Sequence, residues 1–155
     1  MKGGFFIRCA VSWFCNGLKF ECKRCLHCCS GEPGLVLLSE ASLSALCSYL
    51  GLGREDFLDR YTRLVDMGTY YNISLKERED YSCIFLTEEG CSVYPVRPLQ
   101  CRTYPFWDYL LSDRALWEAE KSSCPGIGQG PLHSEEEIRS QRNASLAEKL
   151  ITILK

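Results

Sequence analysis

The sequence predicts a small single α+β domain, mainly helical, with a short β-hairpin and a cysteine-rich loop region. Three observations lead to this fold class. Apolar residues recur at helical spacing in three segments, aromatic and β-branched residues fill two short runs, and most cysteines lie between these segments. With 155 residues the chain can bury a core without disulfides or metals. We expect an N-terminal extension (1–19), a cysteine-rich domain (20–126) and a C-terminal helix packed on the same domain (127–155).

Two helices are predicted after the first cysteine-rich stretch. Ser39 is a suitable N-cap and Gly51 a suitable stop, with three leucines and Cys47 at helical spacing between them. A second helix is expected from Arg54 to Val65, because its apolar residues fall on one side and its charged residues on the other.

Shorter elements are predicted in the second half. The runs TYYNISL (69–75) and YSCIFL (81–86), separated by the charged KERED, predict a small hairpin. Prolines at 95, 98 and 105 make 91–106 an ordered loop, and CPGIGQG (124–130) is expected to be a turn. Ser134 with Glu137 predicts a capping box that opens a helix to about residue 154. Its later apolar stripe is expected to pack on the same domain, although an oligomer contact would have the same pattern. That stripe consists of Leu146, Leu150, Ile153 and Leu154.

Charge and hydropathy exclude several classes of partner. With 18 basic and 20 acidic residues, the net charge of -2 offers no electrostatic surface for nucleic acid and no polybasic membrane patch. The N-terminal apolar run is interrupted by Arg8, lacks a cleavage pattern and is shorter than the roughly 20 apolar residues that span a bilayer. We therefore expect no membrane span and a cytoplasmic location, where clustered thiols stay reduced and bind metals or carry out redox chemistry.

The stretch FECKRCLHCC places four cysteines, Cys22, Cys25, Cys28 and Cys29, within eight positions. Two-residue gaps let a tight turn aim neighbouring sulfurs inward, and thiolates suit both zinc and iron–sulfur clusters. The first three cysteines repeat the spacing of a bacterial ferredoxin, but Cys29 follows immediately. Adjacent side chains leave the backbone in different directions, so Cys28 and Cys29 are expected to serve two neighbouring centres.

Four cysteines of the second half bring the number of candidate ligands to eight: Cys83, Cys91, Cys101 and Cys124. Eight thiolates suffice for two four-ligand centres of zinc or iron, including a [4Fe-4S] cluster. A shared binuclear site, or one four-ligand centre with spare thiols, would use the same sequence. Cys9, Cys15 and Cys47 are expected to be small packing side chains or, in an exported chain, disulfides. His27 is expected to face outward and is not counted as a ligand.

Arg97 and Arg102 flank Cys101 in RPLQCRTYPF. A centre with four thiolates is net negative, so nearby guanidinium groups would offset its charge, donate hydrogen bonds to sulfur or hold an anionic group of a cofactor or substrate. Ordinary surface salt bridges would use the same residues. Aromatic side chains nearby could shield a centre from water: Tyr94, Tyr104, Phe106 and Trp107.

These motifs resemble a known family, the cysteine-cluster proteins named for a CxxCxxCC signature and described as zinc- or iron-chelating. The resemblance covers roughly residues 20–126 and rests on FECKRCLHCC, SEASLSALCSYLG, CIFLTEEGCSVYPVRPLQCRTYPF and CPG. It implies that the same eight cysteines carry the metal. Usual members have Gly before the final pair of cysteines, where this chain has His27.

The resemblance supplies a site but no reaction. We expect a module that coordinates zinc or an iron–sulfur centre through up to eight cysteines, with metal ions and an unidentified protein as its partners. The alternative is an iron–sulfur-dependent enzyme, either a redox enzyme or one linked to S-adenosylmethionine, as in the flagellin lysine methylases that look similar in this domain. The sequence contains no recognisable nucleophile and base pair, which argues against hydrolytic chemistry, and no thioredoxin-like frame, which ranks thiol–disulfide exchange last. These observations do not decide whether the chain is an enzyme.

Overall fold

The computed structural model describes residues 12–155, in which six α-helices and two short 3₁₀-helices alternate with seven strands. The helices are α1 (Glu40–Leu50), α2 (Arg54–Tyr61), α3 (Leu99–Thr103), α4 (Asp108–Leu111), α5 (Arg114–Glu120) and α6 (Glu135–Ala147). The strands are β1 (Leu18–Phe20), β2 (Thr62–Asp66), β3 (Tyr70–Leu75), β4 (Leu86–Thr87), β5 (Gly90–Cys91), β6 (Ile127–His133) and β7 (Thr152–Leu154). No helix in this part of the chain has the length and apolar character needed to cross a membrane.

The strands form three small antiparallel sheets, with the orders β1-β6, β2-β3-β7 and β4-β5. The predicted α+β class is therefore confirmed. The expectation of a mainly helical chain is not confirmed, because two segments predicted to be the C-terminal ends of helices form strands instead. β1 crosses the expected boundary at residue 19 and pairs with β6, so it joins the predicted extension to the C-terminal part. The three-part division itself stays a prediction.

Helix α1 begins and ends where its capping residues predict. The Ser39 hydroxyl accepts a hydrogen bond from the Ser42 amide at 3.3 Å, and Gly51 ends the helix with a φ of 66°. Leu43 and Leu46 are fully buried. The capping box at Ser134 is also present at the start of α6.

Two predicted helices end earlier than expected. α2 stops at Tyr61, and Thr62–Asp66 becomes β2, since its residues pair with β3 from Leu75 back to Tyr71. α6 stops at Ala147, and the last residues form β7 on the other edge of β3. The predicted apolar stripe of the tail is wrong as a packing surface, because Leu146, Ile153 and Leu154 are exposed.

The predicted hairpin has the wrong partners. The run 69–75 does form β3, but β3 pairs with β2 and β7 rather than with 81–86. That second run contributes a single bridge between Cys83 and Glu77 and then the start of β4. The region 91–106, expected to be a loop, contains a 3₁₀-turn at Tyr94–Val96 and the short helix α3. Its prolines limit both to about one turn.

Two hydrophobic cores hold these elements together. The first lies among α1, α2 and β3, and the second joins β6, α5 and α6. The first contains Leu38, Leu43, Leu46, Phe57, Ile73, Leu75, Phe85 and Val93, and the second contains Phe14, Phe106, Leu111, Trp117, Cys124, Ile127 and Ile138. The cysteine-rich segments lie between the cores, which positions the site described next.

Candidate metal centre

All eight cysteines singled out from the sequence line one cavity of about 140 Å³. They are Cys22, Cys25, Cys28, Cys29, Cys83, Cys91, Cys101 and Cys124, and all are free thiols. Leu75, Phe85 and Val93 of the first core line the same cavity, as does Phe20, which packs against the second. The fold therefore brings together thiols from opposite halves of the chain in a partly apolar space.

The turn that carries the first four cysteines depends on two left-handed residues. Arg24 has a φ of 51° and Leu26 a φ of 67°, a conformation that costs non-glycine residues on the order of 1–2 kcal/mol each. Leu26 leads into a 3₁₀-turn over His27–Cys29, where the Cys29 amide donates to the Leu26 carbonyl at 2.9 Å. Strain of this kind persists only where surrounding contacts hold it.

Two hydrogen bonds hold that turn against the second half of the chain. The Cys83 amide donates to the Cys29 carbonyl at 2.8 Å, and His27 Nδ1 donates to the Ser123 carbonyl at 3.0 Å. The donor of the first bond, Cys83, is itself a candidate ligand, and the acceptor of the second, Ser123, directly precedes Cys124. His27 is exposed, as expected, but it fixes the turn that carries the cysteines.

Short elements present the other four thiols. Cys83 forms a bridge with Glu77, Cys91 ends β5, and Cys101 lies in α3. Cys124 follows α5, and its amide donates to the Glu120 carbonyl at 2.8 Å. Secondary structure or a backbone hydrogen bond thus fixes the backbone of each of these cysteines.

The adjacent cysteines do not point apart. Cys28 Sγ lies 3.8 Å from Cys29 Sγ, although adjacent side chains were expected to leave the backbone in different directions. The 3₁₀-turn at His27–Cys29 explains the difference, because it curls the backbone between them.

Burial and mutual proximity set the protonation of the thiols. Burial raises the pKa of Cys101 to about 12, and it also raises the pKa values of Cys83, Cys91 and Cys124. The hydrogen bond between Cys28 and Cys29 lowers the pKa of Cys28 to about 7 and raises that of Cys29. A metal that takes thiolate ligands must therefore displace protons from most of these groups.

Arg97 and Arg102 both line the cavity. The Arg97 guanidinium donates to the Tyr94 carbonyl at 2.7 Å and lies 3.7 Å from the centroid of the Tyr94 ring. Its positive charge helps to lower the pKa of Cys28. Arg24 also lies over the Tyr94 ring, at 4.2 Å, which ties the first cysteine turn to this region. Arg102 is exposed. No sequence signal pointed to Arg24, because its partner is distant along the chain.

Of the four aromatic residues expected near the centre, Tyr94 and Tyr104 line the cavity. Phe106 is buried in the second core, and the Trp107 indole donates to the Gln100 carbonyl instead. The Tyr104 hydroxyl donates a hydrogen bond to Glu120 at 2.6 Å. Burial has the larger effect and this hydrogen bond the next largest, and both raise the pKa of Tyr104. Tyr104 therefore stays protonated beside the thiols.

A second cavity, of about 360 Å³, adjoins the first. Four cysteines line both cavities and so form a wall between them: Cys28, Cys29, Cys83 and Cys101. Within residues 12–155, no three histidine, cysteine or acidic side chains are already arranged to hold one ion. By donor chemistry, a cavity lined by soft sulfur atoms and apolar side chains fits zinc or an iron–sulfur cluster.

Among the described residues, two further cysteines, Cys15 and Cys47, do not line this cavity. Cys47 packs against the first core, as expected. Cys15 is disulfide-bonded, a role that was expected for it only in an exported chain, and Cys9 lies outside the described residues.

The chain is similar in sequence to known proteins, and this similarity identifies its family. A protein of Methanocaldococcus jannaschii, described as uncharacterised, is 29% identical over 97 residues, a match that covers 60% of this chain and 48% of the relative. The match thus spans about half the length of this relative. No solved structure matches it significantly. A family model matches residues 21–125, which include all eight cavity cysteines. The chain therefore belongs to the CxxCxxCC family, described as a "Putative zinc- or iron-chelating domain".

Proposed function

We propose that the chain coordinates zinc or an iron–sulfur centre through its eight cavity cysteines. The observation that carries this proposal is the convergence of all eight free thiols on one cavity from two halves of the chain. Cys47 packs against the first core, as Cys83 and Cys91 do, but it does not line the cavity, so core packing alone does not account for the convergence of these eight. Membership of a family described as chelating supports the same class of activity.

The residues that line the cavity would have different roles in metal binding. The eight sulfurs supply soft donors, and the apolar side chains around them limit access of water. Arg97, which lies beside the thiols, and Arg102, which lines the same cavity, offset the negative charge of a thiolate centre or hold an anionic group. Bound zinc would cross-link the two halves of the chain, and an iron–sulfur cluster would also carry electrons.

The same thiols bear on the compartment and the partners that metal binding would require. A reducing compartment such as the cytoplasm would keep the eight cavity cysteines available for metal. Metal ions are the partners this chemistry requires, and a protein that donates or receives the metal would be a further one. No observation on the fold or the relative favours the redox or S-adenosylmethionine-linked alternative over metal binding.

Metal analysis after anaerobic purification tests the proposal. A brown protein that absorbs visible light and contains iron would indicate a cluster, whereas a colourless protein with stoichiometric zinc would indicate a zinc module. Cys25→Ser should lose metal, because Cys25 lines the cavity, and Cys47→Ser should keep it. If the two variants retain the same amount of metal, the proposed ligand set is wrong.

A further inference from the structure

The separation of two neighbouring sulfurs indicates how the eight ligands divide. A tetrahedral ion with metal–sulfur bonds of about 2.3 Å places any two of its sulfur ligands roughly 3.8 Å apart. Cys28 Sγ and Cys29 Sγ are 3.8 Å apart. The left-handed Leu26 and the 3₁₀-turn at His27–Cys29 therefore set the two adjacent side chains at the spacing of two ligands on one ion.

Two second-half cysteines lie near that pair and line the same two cavities. The Cys83 amide donates to the Cys29 carbonyl at 2.8 Å, so Cys83 is anchored beside the pair. Cys101 lies in α3 and lines the same wall between the two cavities as Cys28, Cys29 and Cys83. The other four cysteines line only the first cavity. Cavity geometry thus separates the eight sulfurs into two sets of four.

We infer that Cys28, Cys29, Cys83 and Cys101 bind one ion as a set, and that the adjacent pair shares this ion. Cys22, Cys25, Cys91 and Cys124 then form a second set. The inference rests on the proposed function and deepens it, because it assigns ligands that the sequence left undivided. Cys83 and Cys101 would supply the remaining two sulfur ligands of an ion bound by the adjacent pair.

Cadmium NMR on the full chain tests the assignment directly. Cadmium is a soft ion that prefers thiolate ligands, so an NMR-active cadmium isotope can be loaded anaerobically into metal-free protein. Each bound cadmium gives its own resonance, and through-bond correlations connect that resonance to the β-protons of its cysteine ligands. We expect two resonances, one of which correlates with Cys28, Cys29, Cys83 and Cys101.

Matched variants provide a second measurement. Cys101→Ser should abolish or shift the resonance that correlates with Cys28 and Cys29 and leave the other in place, and Cys124→Ser should do the reverse. Cys47→Ser should change neither resonance. The inference is overturned if no single cadmium correlates with both Cys28 and Cys29, or if Cys101→Ser and Cys124→Ser affect the same resonance. A chain that takes up no cadmium would overturn the proposed function as well.

Discussion

Gly126 offers a way to disturb the cavity without removing a thiol. It follows Cys124 by two residues, and its carbonyl accepts a hydrogen bond from the Glu21 amide at 3.2 Å, directly before Cys22. A Cβ atom at position 126 would lie 2.1 Å from the Glu21 carbonyl oxygen. Gly126→Ala should therefore push the segment carrying Cys22 away from the segment carrying Cys124.

The required displacement is large compared with what a metal site tolerates. To reach an ordinary contact of 3.4 Å, the two backbones must separate by about 1.3 Å. Metal–ligand distances tolerate only about 0.2 Å, so the metal-bound state would have to bring the displaced segments back together against an overpacking cost of about 1–3 kcal/mol, which the free state avoids. Because about 1.4 kcal/mol corresponds to a tenfold change in a binding constant, we expect zinc affinity to fall on the order of tenfold.

Competition with a zinc chelator, under anaerobic conditions, measures this change. Gly34→Ala is the matched control, because a Cβ there meets only a Glu77 carboxylate oxygen, at 3.8 Å. We expect its zinc affinity to equal that of the unmodified chain, with circular dichroism confirming that both variants fold. A folded Gly126→Ala protein that binds zinc as tightly as the Gly34→Ala control would refute the idea that this backbone contact positions the ligands.

Three further predictions concern pH and stability. Burial raises the pKa of Cys83 and of Cys101, so protons compete with metal for these thiols. Zinc affinity should therefore rise between about pH 6 and about pH 8. Chelator competition across that range measures the affinity, and a flat profile would contradict the prediction. Ser134→Ala removes the capping box of α6 and should lower the free energy of unfolding by about 1 kcal/mol in urea titrations, with metal content unchanged. Leu46→Ala, in the first core, should cost about 2–5 kcal/mol by the same assay, whereas Leu146→Ala, at an exposed position, should change the value by less than about 0.5 kcal/mol.

Helix caps were predictable from the sequence because they depend on residues within one turn. Ser39, Gly51 and Ser134 all cap helices as their types and spacing predict. Strand partners were not predictable in this way. Thr62–Asp66 carries an amphipathic helical pattern, yet it pairs with β3, because tertiary pairing outweighs a weak local preference. Thr152–Leu154 changes from the expected helix to a strand for the same reason.

In the candidate site, too, local features were predictable from the sequence and contacts between distant residues were not. The spacing of cysteines and their number singled out the eight thiols of the cavity, since ligand type is a local property of the chain. Their arrangement depends on contacts between distant residues. The His27–Ser123 bond joins positions 96 residues apart, and the stacking of Arg24 on Tyr94 likewise links the two halves. Neither pair leaves a pattern in the sequence, so both escaped prediction.

The left-handed residues of the first turn indicate what positions the metal ligands. Arg24 and Leu26 adopt a conformation that a free loop would avoid, so contacts elsewhere must compensate for it. Those contacts are the hydrogen bond from the Cys83 amide to the Cys29 carbonyl and the hydrogen bond from the His27 imidazole to the Ser123 carbonyl. Cys83 is itself a candidate ligand, and Ser123 directly precedes Cys124, so the bonds that hold the turn also fix its position relative to thiols of the second half. The protein's own hydrogen bonds therefore position candidate ligands from the two halves against one another.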